Sequence, residues 1–485
     1  MKPVTLSLCA ALVALAFVTV RGQDWPQWRG SNRDGVAAKS PALADSWPAA
    51  GPKLLWASQD QIITQQLNGG FGSVSIVGGR AYLYQYLRSP VIFTTRTLKA
   101  DALQRLAKAK DAPPKDALDK IKTIKDKEFP SADALEKWFA DNAIDPNTAA
   151  RVRKEIPAKG EQAADVFYCL DANTGQTLWK QEFAGQKIHG NGCSSTVCVV
   201  ADRLYATGGN TTMYCLRAKD GNLVWKSAVP REAPAWAGSS SPLVTQGLVI
   251  LVAGQLTAFR DADGSVAWTQ AKVKGIAPSP VLWSADGKEY LLCNSDAGLS
   301  CADVATGEVL WTVPGGGNST VAVADDIAVI VTDKKDQGIL AYKISPAKAE
   351  KIWSIAPFAD RGTSVVIYAG HVYAVGGASP GMTNWRALCA NLADGKTCWE
   401  EKSDDFKKPE VNTPIIADGK MFFYAGGEAF NLLMFRAAPD KYELLGKFKP
   451  ETSKTPSYSC ANPSIADGRL FLRLNDRVAC YDLRK

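Results

Sequence analysis

The sequence predicts an all-β fold: an eight-bladed β-propeller of four-stranded antiparallel blades. Three observations carry this. A ten-residue pattern recurs, LDANTGQTLW ending at Trp179, with copies ending at Trp225, Trp268, Trp311, Trp353 and Trp399 and a degenerate copy at Leu445. From Trp179 onward the copies are 46, 43, 43, 42, 46 and 46 residues apart, the period of a blade-type array. Finally, the chain begins and ends on fragments that complete one another. KLLWAS (53–58) reads as a lone last strand, and 464–483 reads as three strands lacking a fourth. Pairing them closes the ring and removes both free edges.

Each blade follows from its own residues. Gly175, Gly221, Gly264, Gly307 and Gly395 stand four residues before the terminal Trp, where a turn needs a positive φ before a short strand. The preceding half of each copy, as in VADRLY (200–205) or ADGRLF (466–471), is an apolar run broken by a tight turn. Strand, tight turn, strand, variable loop, strand, glycine turn, strand is a meander. Blade one spans about 70–183. Blades two to seven cover 193–229, 239–271, 279–313, 319–355, 363–402 and 412–448. Blade eight joins 461–483 to 54–58. The propeller is thus 53–485, preceded by a connector over 23–52.

Residues 1–22 carry Lys2 and then an apolar run, with small Val20 and Gly22 placed for a signal peptidase. This reads as a cleaved signal peptide and a secreted or periplasmic protein, with no transmembrane segment after cleavage. The net charge of +7 becomes +5 without Lys2 and Arg21. Spread over the mature chain it implies no nucleic-acid partner. Within blade one, 96–163 holds 15 basic and 12 acidic residues and lacks Gly before Gly160. Leu103 with Leu106, Leu118 with Ile121, and Leu135 with Trp138 and Phe139 have helical spacing, and Pro113–Pro114, Pro130 and Pro146 punctuate them. A helical insertion of three or four short helices is expected.

A meander puts tight turns and glycine turns on one face and the variable loops on the other, where function is expected. The approaches to the first strands line a central funnel. They read NGGFGS (68–73), HGNGCSS (189–195), AWAGSSS (235–241), IAPS (276–279), GGGNST (315–320), DRGTS (360–364), EVNT (410–413) and SCANPS (459–464). Among these small polar residues, His189, Asn191, Trp236, Asn318, Arg361, Asn412 and Asn462 are the candidate ligand-binding groups. Arg361 suits a carboxylate or phosphate and Trp236 a flat ligand. His371 falls in a turn of the opposite face. Two distant histidines do not make a zinc site, and no CxxCH, GxSxG, HExxH or P-loop sequence is present. Cys169, Cys215, Cys301, Cys389 and Cys480 share one place in strand three, where other blades have Ala258, Ala341 and Met434. That is a tight packing slot. Two hairpin pairs, Cys293 with Cys301 and Cys389 with Cys398, remain possible disulfides.

LDANTGQTLW and its copies resemble the repeat of the PQQ-type (quinoprotein) propellers, A-x-D-x-x-T-G-x-x-x-W, matched by Asp171, Thr174, Gly175 and Trp179 and by Asp303, Thr306, Gly307 and Trp311. The opening WPQWRG (25–30) is similar to the mature start of secreted bacterial PQQ-like repeat proteins. The resemblance covers about 50–485 outside the insertion. It implies that Trp56, Trp179, Trp225, Trp268, Trp311, Trp353 and Trp399 dock between blades. It leaves two functions open, because fold does not fix function. One is a ligand- or protein-binding scaffold, a monomer meeting a small molecule or an envelope protein at the funnel face. The other is a PQQ-dependent dehydrogenase holding PQQ and Ca²⁺ and oxidising an alcohol or sugar. The adjacent Cys–Cys pair of many such dehydrogenases is missing, and only Asp360 and Glu410 stand near the places of a Ca²⁺ ligand or base. The scaffold is therefore the expected function, with no catalytic residues.

Overall fold

The computed structural model describes residues 23–64, 69–93, 95–156, 159–185, 193–209, 212–230, 239–275, 277–359, 362–377, 385–407, 412–426, 428–451 and 459–485. Eight antiparallel blades follow one another in chain order. Blade two shows the pattern: strands Cys198–Val200, Arg203–Thr207, Thr212–Arg217 and Leu223–Ala228, each paired with the next. In blade three the two middle strands form one run, Leu248–Arg260, with Gly254 at φ +81° inside it. Blade eight is closed by the N-terminal strand: Lys53 pairs with Asp482 and Ala57 with Ala479. The predicted fold and its closure are observed.

All eight blades share one irregularity. The outermost strand bulges by one residue immediately before the docking position. In blade two, Cys215 faces Trp225 and Leu216 faces Leu223, so Val224 is the extra residue. A bulge bends and twists the strand locally, and here it marks the point where the Trp leaves for the neighbouring blade. Trp225 Nε1 donates to Asp261 O of blade three at 2.8 Å, and its ring covers Gly264. A Cβ on Gly264 (φ +73°) would lie 2.4 Å from Trp225 Cε3, so both the conformation and the stacking require glycine there. Trp56, Trp179, Trp311, Trp353 and Trp399 donate likewise to Ala172, Ala218, Ser345, Leu392 and Ala438. Trp268 covers Gly307, but its Nε1 has no partner among the described residues.

Blade seven corrects the sequence reading. Its docking position is Gly446, not Leu445; Met434 faces Gly446 and Leu445 is the bulged residue. The indole comes from elsewhere. Trp47, in the connector, lies where a Cβ on Gly446 would come within 2.6 Å of its ring, and it packs on Phe422 and Phe448.

Blade one also differs from expectation. Its second and third strands extend past the blade, the third beginning within the range 96–163 expected to be helical. They run on as a two-stranded ribbon, Arg80–Ile92 against Lys159–Asp171, paired from Arg80–Asp171 to Ile92–Lys159. Beyond the ribbon come four helices: α1 Ala100–Lys108, α2 Lys115–Lys122, α3 Ala132–Asp141 and α4 Pro146–Glu155. Ser131 caps α3 and Asp145 caps α4, whose first residue is Pro146. Leu106, Ile121, Leu135, Phe139 and Val152 bury together in a cluster that contains none of the propeller's residues.

One of the two cysteine expectations is decided geometrically. Cys301 faces Leu292 and Cys293 faces Ser300. They point to opposite faces of blade four, Cys293 packing with Leu243 and Ile250 and Cys301 with Val321 and Ile330, so they cannot pair. Cys389 lies opposite the bulge that contains Cys398.

Candidate functional site

The funnel narrows to a ring of side-chain-to-backbone hydrogen bonds between blades. Ser73 N donates to Thr196 Oγ1, Thr196 N to Ser241 Oγ, and Ser241 N to Ser279 Oγ, each at 3.0 Å. Thr320 N donates to Ser364 Oγ, Ser364 N to Thr413 Oγ1, Thr413 N to Asn462 Oδ1, and Asn462 N back to Ser73 Oγ. This explains the small polar residues ahead of each first strand. A short oxygen-bearing side chain satisfies the buried amide of the preceding blade. One link, from Ser279 to Thr320, is missing. Thr320 Oγ1 instead accepts from Trp28 Nε1 at 2.8 Å.

Trp28 belongs to a segment whose place the sequence did not disclose. Residues 24–37 enter the channel from the tight-turn side and bond to most of the ring. Trp25 exchanges two 2.8 Å backbone bonds with Ile76 of blade one, and Val199 N of blade two donates to Pro26 O. Arg33 donates to Ser241 O and Pro242 O of blade three, and Arg29 to Val365 O of blade six at 2.6 Å. Ile416 N of blade seven donates to Gly35 O, after which Val36–Ala37 adds a parallel fifth strand to that blade. Trp25, Arg29 and Arg33 are 1%, 2% and 2% exposed. The segment acts as a plug, and the channel is stopped on the turn side.

The plug is basic inside. Burial pushes Arg29 and Arg33 down to about 10, and among the described residues neither has a carboxylate within 4.0 Å. Backbone carbonyls solvate them instead. Arg473, between blades eight and one, is held the same way by the carbonyls of Ile63, Gly69, Gly72 and Tyr84 and is also pushed down to about 10 by burial. Such groups join blades through one side chain, because a guanidinium offers five donors in a fixed plane.

Of the candidate ligand-binding residues, His189, Asn191, Trp236 and Arg361 lie outside the described residues, as do Asp360 and Glu410. Asn412 and Asn462 are brought together at the seam of blades seven and eight. Asn412 Nδ2 donates to Ala461 O at 3.4 Å and its Oδ1 accepts from Gly426 N at 3.2 Å. Asn462 completes the ring and donates to Cys460 O. Asn318 is half-buried in the Gly315–Asn318 loop, which Asn294 anchors through Gly316. His371 sits in its turn, Nδ1 against Ala369 O.

Sequence reasoning missed a second polar cluster, at the loop end of the seam between blades one and two. The Asp165 carboxylate, 1% exposed, accepts from Tyr84 Oη at 2.6 Å, Gly209 N at 2.7 Å and Tyr214 Oη at 2.9 Å. Burial raises its pKa above the usual carboxylate range, and these donors oppose the rise. The signal was TGG (207–209): a Cβ on Gly208 would lie 2.7 Å from Asp165 Oδ2.

The donor set tests the cofactor expectation. Among the described residues no group of three or more His, Cys, Asp or Glu could hold a metal ion. The described ring groups are hydroxyls and amides already bonded to backbone, and the nearest buried charges are arginines. They do not fit a Ca²⁺ site. No described helix is long and apolar enough to cross a membrane.

Comparison with known proteins places this geometry. The family model described as outer membrane protein assembly factor BamB matches residues 162–314 and 272–485. The outer membrane protein assembly factor BamB of Yersinia pestis is 25% identical over 303 residues, covering 59% of this chain and 72% of that one. The protein of that name from Burkholderia pseudomallei is 25% identical over 268 residues, covering 51% and 63%. The quinohemoprotein alcohol dehydrogenase of Comamonas testosteroni superposes with a TM-score of 0.59 at 12% identity, over 95% of this chain and 81% of that one. That likeness is one of fold.

Proposed function

The chain belongs to the family described as outer membrane protein assembly factor BamB, and from that premise we propose that it is a non-enzymatic binding scaffold of the cell envelope. Its partner is an envelope protein that seats on the loop face, around the funnel mouth. The observation that carries this reading is the use made of the channel. The described hydroxyls and amides that line it hold the blades together, and residues 24–37 stop its far end. With the far end stopped, recognition is assigned to the non-repetitive loop rim. Function carried on loops over a rigid scaffold is the general pattern. Relatives named for outer-membrane assembly support a protein partner over a small substrate.

The test is site-specific photocrosslinking in cells, with the probe at Asn318 on the loop face and at His371 on the turn face. Discrete adducts from position 318 and none from 371 are expected. Adducts from 371 alone would put the partner on the other face. In parallel, purified protein is titrated with PQQ and Ca²⁺. Saturable quinone absorbance with dye-linked alcohol or sugar oxidation would replace the scaffold by a dehydrogenase.

A further inference from the structure

Every blade places its bulged residue beside the same position of strand three, Cys, Ala or, in blade seven, Met434, and only in blade six are both cysteines. The bulged residues of the others are Leu55, Leu178, Val224, Ala267, Leu310, Ile352 and Leu445. In blade six Cys389 faces Trp399 and Ala390 faces Thr397, so Cys398 and Trp399 together stand opposite Cys389. The registered partner of Cys389 is Trp399, and Cys398 stands beside it in the bulge, where two residues oppose one, with its side chain within hydrogen-bond reach of Cys389. The two thiols also differ in access. Cys389 is buried against Tyr373 and Trp399, whereas Cys398 is exposed, its Sγ 3.8 Å from the Lys396 carbonyl and within side-chain hydrogen-bond reach of Cys389.

We propose that Cys389 and Cys398 form a thiol–disulfide site on the rim of blade six, oxidised by exchange with a small-molecule or protein disulfide. Cys398, reachable from solvent, loses its proton and attacks the incoming disulfide, and one thiolate leaves. Cys389 then loses its proton and attacks the Cys398 sulfur of the mixed disulfide, and the second thiolate leaves. The two leaving thiolates take up the two protons. Two cysteine thiols are oxidised to one disulfide and one external disulfide is reduced to two thiols. The second step is the slow one. Burial and the neighbouring Cys398 push the Cys389 thiol up to about 12, so little thiolate is present near neutral pH.

The experiment exposes the reduced full-length protein to oxidised glutathione, traps remaining thiols by alkylation and maps tryptic peptides without reductant. The expected product is ALCANLADGK (387–396) linked to TCWEEK (397–402), with Cys193, Cys215 and Cys301 alkylated only after denaturation. Closure should accelerate roughly tenfold per pH unit below the Cys389 pKa. Cys389→Ala, which installs the residue that blades three and five carry at that place (Ala258, Ala341), should halt at a stable glutathione adduct on Cys398. The proposal is overturned if wild type keeps both peptides alkylated, or if it accumulates the Cys398 adduct as fully as the variant.

Discussion

Two segments of this chain lie outside the repeat, and they meet the ring in opposite ways. The helical insertion stands on the end of a 13-residue ribbon and buries Leu106, Ile121, Leu135, Phe139 and Val152 among themselves. The plug, 24–37, has no core of its own. Its Trp25, Arg29 and Arg33 are buried only because six blades surround them, and its backbone bonds directly to blades one, two and seven. An appended unit carries its own hydrophobic periodicity. An integrated one borrows its partners from the scaffold, so its loss is felt by the whole ring.

The largest effect expected from this contrast is in the plug. Trp25→Ala removes a fully buried indole beside the channel and should cost about 3–5 kcal/mol, as for other buried large aromatics, measured by denaturant unfolding. A change below about 1 kcal/mol would mean the plug is not part of the cooperative unit.

A smaller effect separates Trp47 from the repeat. This indole is half-buried and stands in for the docking Trp that blade seven lacks. Trp47→Ala should cost roughly 2 kcal/mol, short of the full cost of burying an aromatic. Gly446→Trp should be destabilising alone, because it collides with Trp47. In the Trp47→Ala background it should recover part of the loss. Additive losses in the double variant would show that the two positions do not share one pocket.

What the sequence discloses follows the same division. The blades are legible because Gly and Trp recur at fixed spacing, so turn geometry and packing repeat together. The closure is legible from the unmatched ends. The helices are legible from Leu103–Leu106 and Leu135–Phe139. The plug is not, since WPQWRGSNRDG has neither a strand period nor a helical one. Its meaning lies in carbonyls of residues 208 and 336 positions away, Ser241 for Arg33 and Val365 for Arg29. The hint was there in two arginines within an otherwise turn-like run, both with φ near +60°. Blade seven misled by one residue because the expected Trp is supplied from the connector. Asp165 was hidden because its partners, Tyr84, Gly209 and Tyr214, come from two blades. Of the candidate site, what the sequence disclosed is the band of small polar residues before each first strand, and those described bind backbone.

The comparison is tested most directly by replacing 96–157 with a short Gly-rich linker and following cooperative unfolding of what remains. With the insertion's core separate from that of the ring, the propeller should keep its unfolding free energy to within about 0.5 kcal/mol, as for independent sites. A loss above roughly 2 kcal/mol, or a transition that is no longer cooperative, would show that the helices belong to the same unit as the ring.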